Sequence, residues 1–444
     1  MSNRNVVVRP AKLVEKYGED FPVWSYSRLS SFNNCQHEFY LSRLLKKENL
    51  ENIYGILGGS AHDVLEDFYN GKIKYEDMLD RFENKFLDVE ISDIKFSSDE
   101  DKNKRMMEKY KSCIVHFFKH HKSVTSKVIC EQEIWVDVRN SVGEGGVFIG
   151  YVDAIHKEGE YYVITDYKTS SMGAEYKGEH LLEKQKQLLL YALALIQKGV
   201  PADKIKIRWN FLKYTNIRYN HMINVTYLKG DKYTTSCVKK SELIAKIATQ
   251  LKKDMLEHDP NTNTKEVTAT IKQWKVDNDF TALPEWLQKR YVLSDVVKTA
   301  ERYKWVESVK TQLKKDLKEC GLTDIEIELQ YTDCVVDNNL DNLPEEVKAN
   351  YILEDAYVYG TMNQQNIDNL VEDMVANIIQ INDNGTDESK WTSNKLKSEP
   401  GSFYCNNLCG VRNDCKYYKE FLEQLKAEQY VKEDIDILTE LENL

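Results

Sequence analysis

The chain has 444 residues, 61 Lys and Arg against 72 Asp and Glu, a formal charge of −11, and 41% hydrophobic residues. That length exceeds one ordinary core and the apolar fraction suffices for burial, so a soluble folded protein of two or more lobes is expected. The acidic balance has the wrong sign for gripping nucleic acid through the overall field, so any such contact has to use local basic patches. No apolar run reaches about 18 residues, which argues against a helical membrane span. Charges interrupt the apolar runs of residues 1–23, and nine cysteines without a secretory leader point to a reducing cytoplasm and away from a disulfide framework.

In chain order, residues 1–22 read as a loosely docked lead and 23–127 as a helical stretch. Ser25, Ser27 and their neighbours offer hydroxyl caps to a helix running through Phe39, Leu41 and Leu44, with Cys35 inside it. Gly58-Gly59-Ser60-Ala61-His62 opens a second helix, carried on by Val64, Leu65 and Phe68; a third run follows through Met106, Tyr110, Ile114 and Phe117. The short basic run Lys119-His120-His121-Lys122 is a solvated face or a phosphate contact.

From Val128 the apolar period changes from helical to two, the mark of a half-buried strand. Gly143–Gly146 turns it into a strand over 147–152 that Asp153 ends, and Lys157-Glu158-Gly159-Glu160 folds the chain back into a strand over 162–168. Side chains two apart in a strand share a face, so Asp166 and Lys168 project together, with Asp153 beside them. Two carboxylates and an ammonium on one small patch suit Mg²⁺, which is usually held by one or two carboxylates with phosphate and water completing its shell. A helix over 177–198 places Gln187 and Tyr191, four apart, on one face, and a strand over 204–214 follows. Residues 128–230 thus form a mixed α/β core.

Residues 231–395 depart from that pattern and contain a repeat. Val276-Asp277-Asn278 through Leu283-Pro284, with Tyr291, Leu293 and Asp295, recurs as Val336-Asp337-Asn338 through Leu343-Pro344, with Tyr351, Leu353 and Asp355. Two copies are too few for a solenoid, so a mostly helical insertion with a duplicated unit is expected. Lys310, Lys314 and Lys318 would make one helical face basic. In residues 396–444, Cys405, Cys409 and Cys415 fall within one short segment. Such a cluster suits a metal centre that needs a fourth ligand, and thiolate chemistry alone does not choose between zinc and iron-sulfur.

Taken together, G-x-x-x-H at Gly58–His62, G-x-x-D at Gly150–Asp153, D-x-K at Asp166–Lys168 and Q-x-x-x-Y at Gln187–Tyr191 resemble, in this order, the RecB/AddB-type nuclease domain of the PD-(D/E)XK superfamily, a group that includes the iron-sulfur CRISPR adaptation exonucleases. The resemblance implies a restriction-endonuclease-like core, a mixed sheet flanked by helices, with a helical N-terminal lobe, a helical insertion and a C-terminal iron-sulfur segment. It implies a DNA exonuclease using Mg²⁺ or Mn²⁺. Asp153, Asp166 and Lys168 would be catalytic, the metal would be held by His62, Asp153, Asp166 and the Tyr167 carbonyl, and Gln187 and Tyr191 would contact DNA. It also makes Cys35 the fourth ligand, with Cys405, Cys409 and Cys415, of a [4Fe-4S] cluster, zinc being the alternative. Here the spacing is C-x3-C where those relatives have C-x2-C. Without a G-x-x-x-x-G-K-[ST] stretch the chain brings no motor, so a stand-alone exonuclease on single strands or ends, or the nuclease subunit of a larger machine with a recombination or helicase partner, is the expectation. A structure-specific endonuclease or a silent DNA-end scaffold are the rival functions.

Overall fold

The computed structural model describes residues 8–92, 94–393 and 403–442, with side chains as far as Gln429. Residues 1–7 of the expected lead, and 394–402 where the insertion gives way to the cysteine segment, lie outside the described residues. The chain forms two compact units, one from residues up to 107, 123–210 and 357 onward, the other from 108–122 and 211–356.

The first unit is built on a mixed sheet: β1 (Val23–Trp24), β2 (Ile129–Arg139), β3 (Gly145–Glu158), β4 (Tyr161–Lys168) and the opening residues of β5 (Ile205–Lys229). Strand β1 runs parallel to β3, with Val23 opposite Val147; β2 and β4 pair antiparallel with β3. The alternation seen in the sequence is the burial pattern, with Ile134, Val136 and Val138 inside. Glu158 pairs with Tyr161 across a two-residue turn in which Gly159 takes a positive φ of 60°, a conformation that costs glycine nothing.

Helices flank this sheet. They are α1 (Ala11–Tyr17), α2 (Tyr26–Asn34), α3 (Gln36–Phe39), α4 (Ile53–Tyr69), α5 (Met78–Ile91), the opening of α6 (Glu100–His120), α7 (His180–Lys184) and α8 (Lys186–Gln197). Helix α8 is apolar on nearly every side because it is buried, with Leu188, Leu189, Leu190 and Ala192 each at most 1% exposed. The lead docks through α1, where Lys16 pairs with Asp137 at 2.8 Å.

Several boundaries differ from expectation. Asp153 lies in the middle of β3, not at its end, because β2 continues to pair beyond it as far as Ile155. Helix α4 starts at Ile53, where the Asn52 side chain caps the Gly55 N–H, so Gly58 lies inside the helix. Cys35 is at a break: α2 ends at Asn34, Cys35 is extended at φ −157°, and α3 begins after it. The helix expected over 177–198 divides at Gln185 into α7 and α8.

The second unit holds the rest of β5 with β6 (Lys232–Lys239), α9 (Leu243–His258), α10 (Thr264–Asp277), α11 (Glu285–Gln288), β7 (Tyr291–Glu301), α12 (Trp305–Ser308), α13 (Lys310–Glu319), α14 (Asp324–Asp337), α15 (Glu345–Lys348) and the start of β8 (Tyr351–Tyr359). The sequence repeat is here a structural one. Each copy runs strand, helix pair, a left-handed Asn cap (Asn278, φ 48°; Asn338, φ 51°), Leu-Pro, a one-turn helix and a strand that starts with a buried Tyr. Strand β7 ends the first copy and begins the second.

Each copy has its own core, one around Leu243, Ile247, Leu251, Ile271 and Tyr291, the other around Trp305, Val309, Leu313, Tyr331 and Tyr351. Inside each, a Tyr hydroxyl donates to a buried carboxylate, Tyr291 to Asp254 at 2.7 Å and Tyr351 to Asp316 at 2.8 Å. Strands β7 and β8 both pair with β5; β7 covers Tyr214–Arg218 and Ile223–Tyr227, while β6 covers Met222–Lys229. The helices α16 (Gln364–Asn384) and α17 (Lys416–Glu442) return to the first unit.

Candidate active site

The site forms where β3 and β4 diverge. Their last backbone pair is Ala154 with Thr165; one step further the Asp153 carboxylate takes the place of the ladder and accepts the Tyr167 N–H at 2.8 Å. Asp166 and Lys168 share the face of β4 that the two-residue period requires. Lys168 Nζ lies 2.6 Å from Asp166 Oδ2. The two form a close ion pair, in which Asp166 Oδ2 is buried.

Helix α4 brings the imidazole. His62 Nδ1 stands 3.6 Å from Asp153 Oδ2, and its ring meets Tyr167 edge-on with centroids 5.9 Å apart. The G-x-x-x-H pattern has a steric cause: a Cβ on Gly58 would come within 3.1 Å of Thr169 Oγ1, so the glycine lets the helix close on the end of β4, and His62 follows one turn on along the same face. The G-x-x-D glycine works the same way. A Cβ on Gly150 would meet the Tyr191 ring at 3.0 Å, so Gly150 is what admits α8 to this face of the sheet.

Burial and the neighbouring Asp166 carboxylate push the Asp153 pKa up to about 6. Burial works against the Lys168 charge, but the Asp166 carboxylate outweighs it and raises the lysine pKa, so Lys168 is cationic. Gln187 donates to the Tyr191 hydroxyl at 2.7 Å. Tyr191 is 5% exposed, so its ring is not open to a stacked base. Two residues that sequence reasoning missed belong here: Tyr26 and Tyr176 both lie within the electrostatic reach of Lys168 and Asp166, and burial pushes Tyr26 up to about 12. Tyr26 follows the capping Ser25 of α2; the only signal for it was that cap.

Among the described residues no three His, Cys, Asp or Glu side chains are drawn together closely enough to hold a metal ion by themselves. The donor set nevertheless fits a hard cation that takes only one or two carboxylates from the protein. The imidazole nitrogen and Asp153 oxygen are too far apart to hydrogen bond, and two ligands each about 2.1 Å from one ion and near a right angle would be about 3 Å apart. The second carboxylate, Asp166, is near enough to Asp153 for its charge to raise the Asp153 pKa.

Elsewhere in the first unit, Cys35, Cys405, Cys409 and Cys415 line one small cavity with Glu38, Tyr404 and Arg412. All four are buried and free. Burial pushes the Cys409 thiol up to about 12 and raises that of Cys415. The break at Cys35 brings its Sγ to Ser393 Oγ, 3.7 Å away. Two basic features of the sequence are satisfied internally: His121 is buried against Asp355 at 3.5 Å, and Lys314 and Lys318 pair with Glu328 and Asp324. Among the described residues no helix is long and apolar enough to cross a membrane.

Comparison with curated proteins gives no match. The family model described as the PD-(D/E)XK nuclease superfamily matches residues 23–286, more than half of the chain and a stretch that contains His62, Asp153, Asp166, Lys168, Gln187 and Tyr191. The chain belongs to the PD-(D/E)XK nuclease superfamily.

Proposed function

We propose that the protein is a divalent-metal-dependent DNA exonuclease of the RecB/AddB type, acting in the cytoplasm in recombination, repair or related DNA processing with a helicase or recombination partner. The observation that carries this reading is the convergence of His62, Asp153, Asp166 and Lys168 at one point, with His62 3.6 Å from Asp153 and Lys168 2.6 Å from Asp166. His62, Asp153, Asp166 and the Tyr167 carbonyl would hold Mg²⁺ or Mn²⁺. Bound there, such an ion would supply a site for the scissile phosphate and acidity to an attacking water.

The chain's own residues supply the rest. Lys168, kept cationic by Asp166, orients the attacking water and offsets charge building on the phosphate. Asp153 is held in place by the Tyr167 N–H and by α4. The Gln187 amide, fixed by the Tyr191 hydroxyl, contacts the substrate backbone. Tyr26 and Tyr176 stand near enough to Lys168 and Asp166 to feel their charges. Cys35, Cys405, Cys409 and Cys415 would hold a structural [4Fe-4S] cluster. The four thiols line one cavity; soft thiolates suit iron-sulfur or zinc alike, and the choice of the cluster follows the resemblance.

Asp166→Ala and Lys168→Ala should each reduce Mn²⁺-dependent cleavage of end-labelled DNA by roughly 10²–10⁴-fold, the range for loss of a positioned group at a reacting centre, with the fold kept. Wild-type-like cleavage by either variant would sink the assignment. A closed circular single strand included as substrate should stay intact; nicking of it would make the enzyme an endonuclease.

A further inference from the structure

The duplicated unit offers an internal control, because the two copies keep one core and differ in surface charge. The helix pair of the first copy, residues 243–277, has six lysines against five acids; that of the second, residues 305–337, has four lysines against eight acids. In the second copy the acids neutralise the lysines: Lys314 of α13 pairs with Glu328 of α14, and Lys318 with Asp324. In the first copy the positions matching Asp324 and Glu328 are Thr264 and Thr268, and those partners are gone.

Helix α10 carries three lysines of its own, none of them a counterpart of Lys314 or Lys318. Its core side is set by buried Val267 and Ile271. At about 100° per residue, Lys265, Lys272 and Lys275 fall within about 80° of arc on one flank, and Glu266 and Asp277 fall on the opposite flank. All three lysines are exposed, and among the described residues none is ion-paired. The matching positions in α14 are Ile325, Thr332 and Val335. An ordinary solvated helix face interleaves its charges, as α13 and α14 do; a one-sign stripe in a chain of net charge −11 does not come from overall composition.

We propose that this flank of α10 is a nucleic-acid backbone site, through which the first copy holds a DNA strand while the second copy serves as its scaffold. Ten residues of helix separate Lys265 from Lys275, about 15 Å. A stacked strand presents one phosphate per about 3.4 Å, so the stripe spans about four to five of them. The choice of DNA as occupant rests on the nuclease reading; the binding itself does not.

The test uses the full chain with Lys265→Glu, Lys272→Glu and Lys275→Glu combined, on a fluorescent single-stranded oligonucleotide in chelator, over a salt series. Loss of three phosphate contacts should flatten the slope of log affinity against log salt by about 2, at about 0.7 per contact on single strands, and weaken binding at low salt by about tenfold or more. The triple Lys→Arg variant should bind as wild type does. Unchanged slope and affinity in the Glu variant would overturn the proposal, as would unchanged DNA binding with loss of retention on anionic phospholipid vesicles, which would assign the stripe to a membrane surface. Cleavage of a very short oligonucleotide should be the same in wild type and the Glu variant. Salt-dependent binding lost in the Glu variant, with no cleavage by wild type, would uphold the backbone site and reject the nuclease reading.

Discussion

At the scale of single residues, Asp153 is the group whose ionisation the fold resists. Its pKa of about 6 lies above the roughly 3.9 of an unfolded Asp. A carboxyl raised in this way adds stability below its unfolded pKa and loses it as pH climbs through the folded value. Between about pH 4 and 6 the metal-free protein should therefore lose stability through this group. Asp153→Asn, which keeps an acceptor for the Tyr167 N–H, should remove that slope and stabilise the metal-free protein at pH 7 by about 1–3 kcal/mol, at about 1.4 kcal/mol per pKa unit. Denaturant titrations in chelator at pH 4 and pH 7 measure it, and parallel pH dependence of the two proteins would mean that Asp153 is not held against its charge. Asp166 and Lys168 were legible in the sequence because the strand period alone puts them on one face. The reasons for Gly58 and Gly150 were not, since the atoms they make room for, Thr169 Oγ1 and the Tyr191 ring, belong to other elements. Tyr26 and Tyr176 were invisible for the same reason.

At the scale of elements, the duplicated unit was half legible. The segment from Asn278 to Asp295 matches its copy at a constant offset, whereas Thr249-Gln250-Leu251-Lys252-Lys253-Asp254 recurs as Thr311-Gln312-Leu313-Lys314-Lys315-Asp316 at a different one, because the loop between the helices is shorter in the second copy. That run matters, since it contains the buried carboxylate of each core. Burial alone would raise the Asp316 pKa, but hydrogen bonds with His221, Gln312 and Tyr351 bring it below the usual value. Removing one donor from a charged buried acceptor costs about 1.5–3 kcal/mol. Tyr351→Phe should lower the unfolding free energy read from urea titration by that amount, and Tyr291→Phe should do the same in the first copy; a neutral result in both would make the hydroxyls incidental to packing. The length of β5 was misjudged because polar residues such as Asn216, Asn220 and His221 interrupt its alternation. It continues as a strand because neighbours pair along it as far as Lys229.

At the scale of the whole molecule, the proposed cluster would join positions 35 and 405, nearly the full chain apart. Closing so long a loop removes unfolded-state entropy worth roughly 4–5 kcal/mol on the scale of long disulfide loops. Protein purified without oxygen should be brown with about four irons per chain, as one cubane cluster requires. Cys35→Ala should bleach it, lower the Tm and expose the first unit to protease, while Asp166→Ala should keep the colour. Stoichiometric zinc without iron would replace the cluster by a zinc knot, and a stable, coloured Cys35→Ala protein would remove that cysteine from the ligand set. The four thiols were legible only as a cluster of three with a distant fourth, because a break in a helix, unlike a period, has no mark in the sequence around Cys35.

The edges of β5 also set a count. From Tyr214 to Arg218 and again from Ile223 to Tyr227 one edge is taken by β7. The other is taken by β6 from Met222 on, and before it by β8, whose Asn350 flank accepts the Asn220 N–H at 2.7 Å. A strand has only two edges, so a third copy built to the same plan would find none of β5 left on which to close. Among the described residues, the edges of β5 are therefore used up by the strands of two copies, and neither copy leaves β5 an open edge for a third.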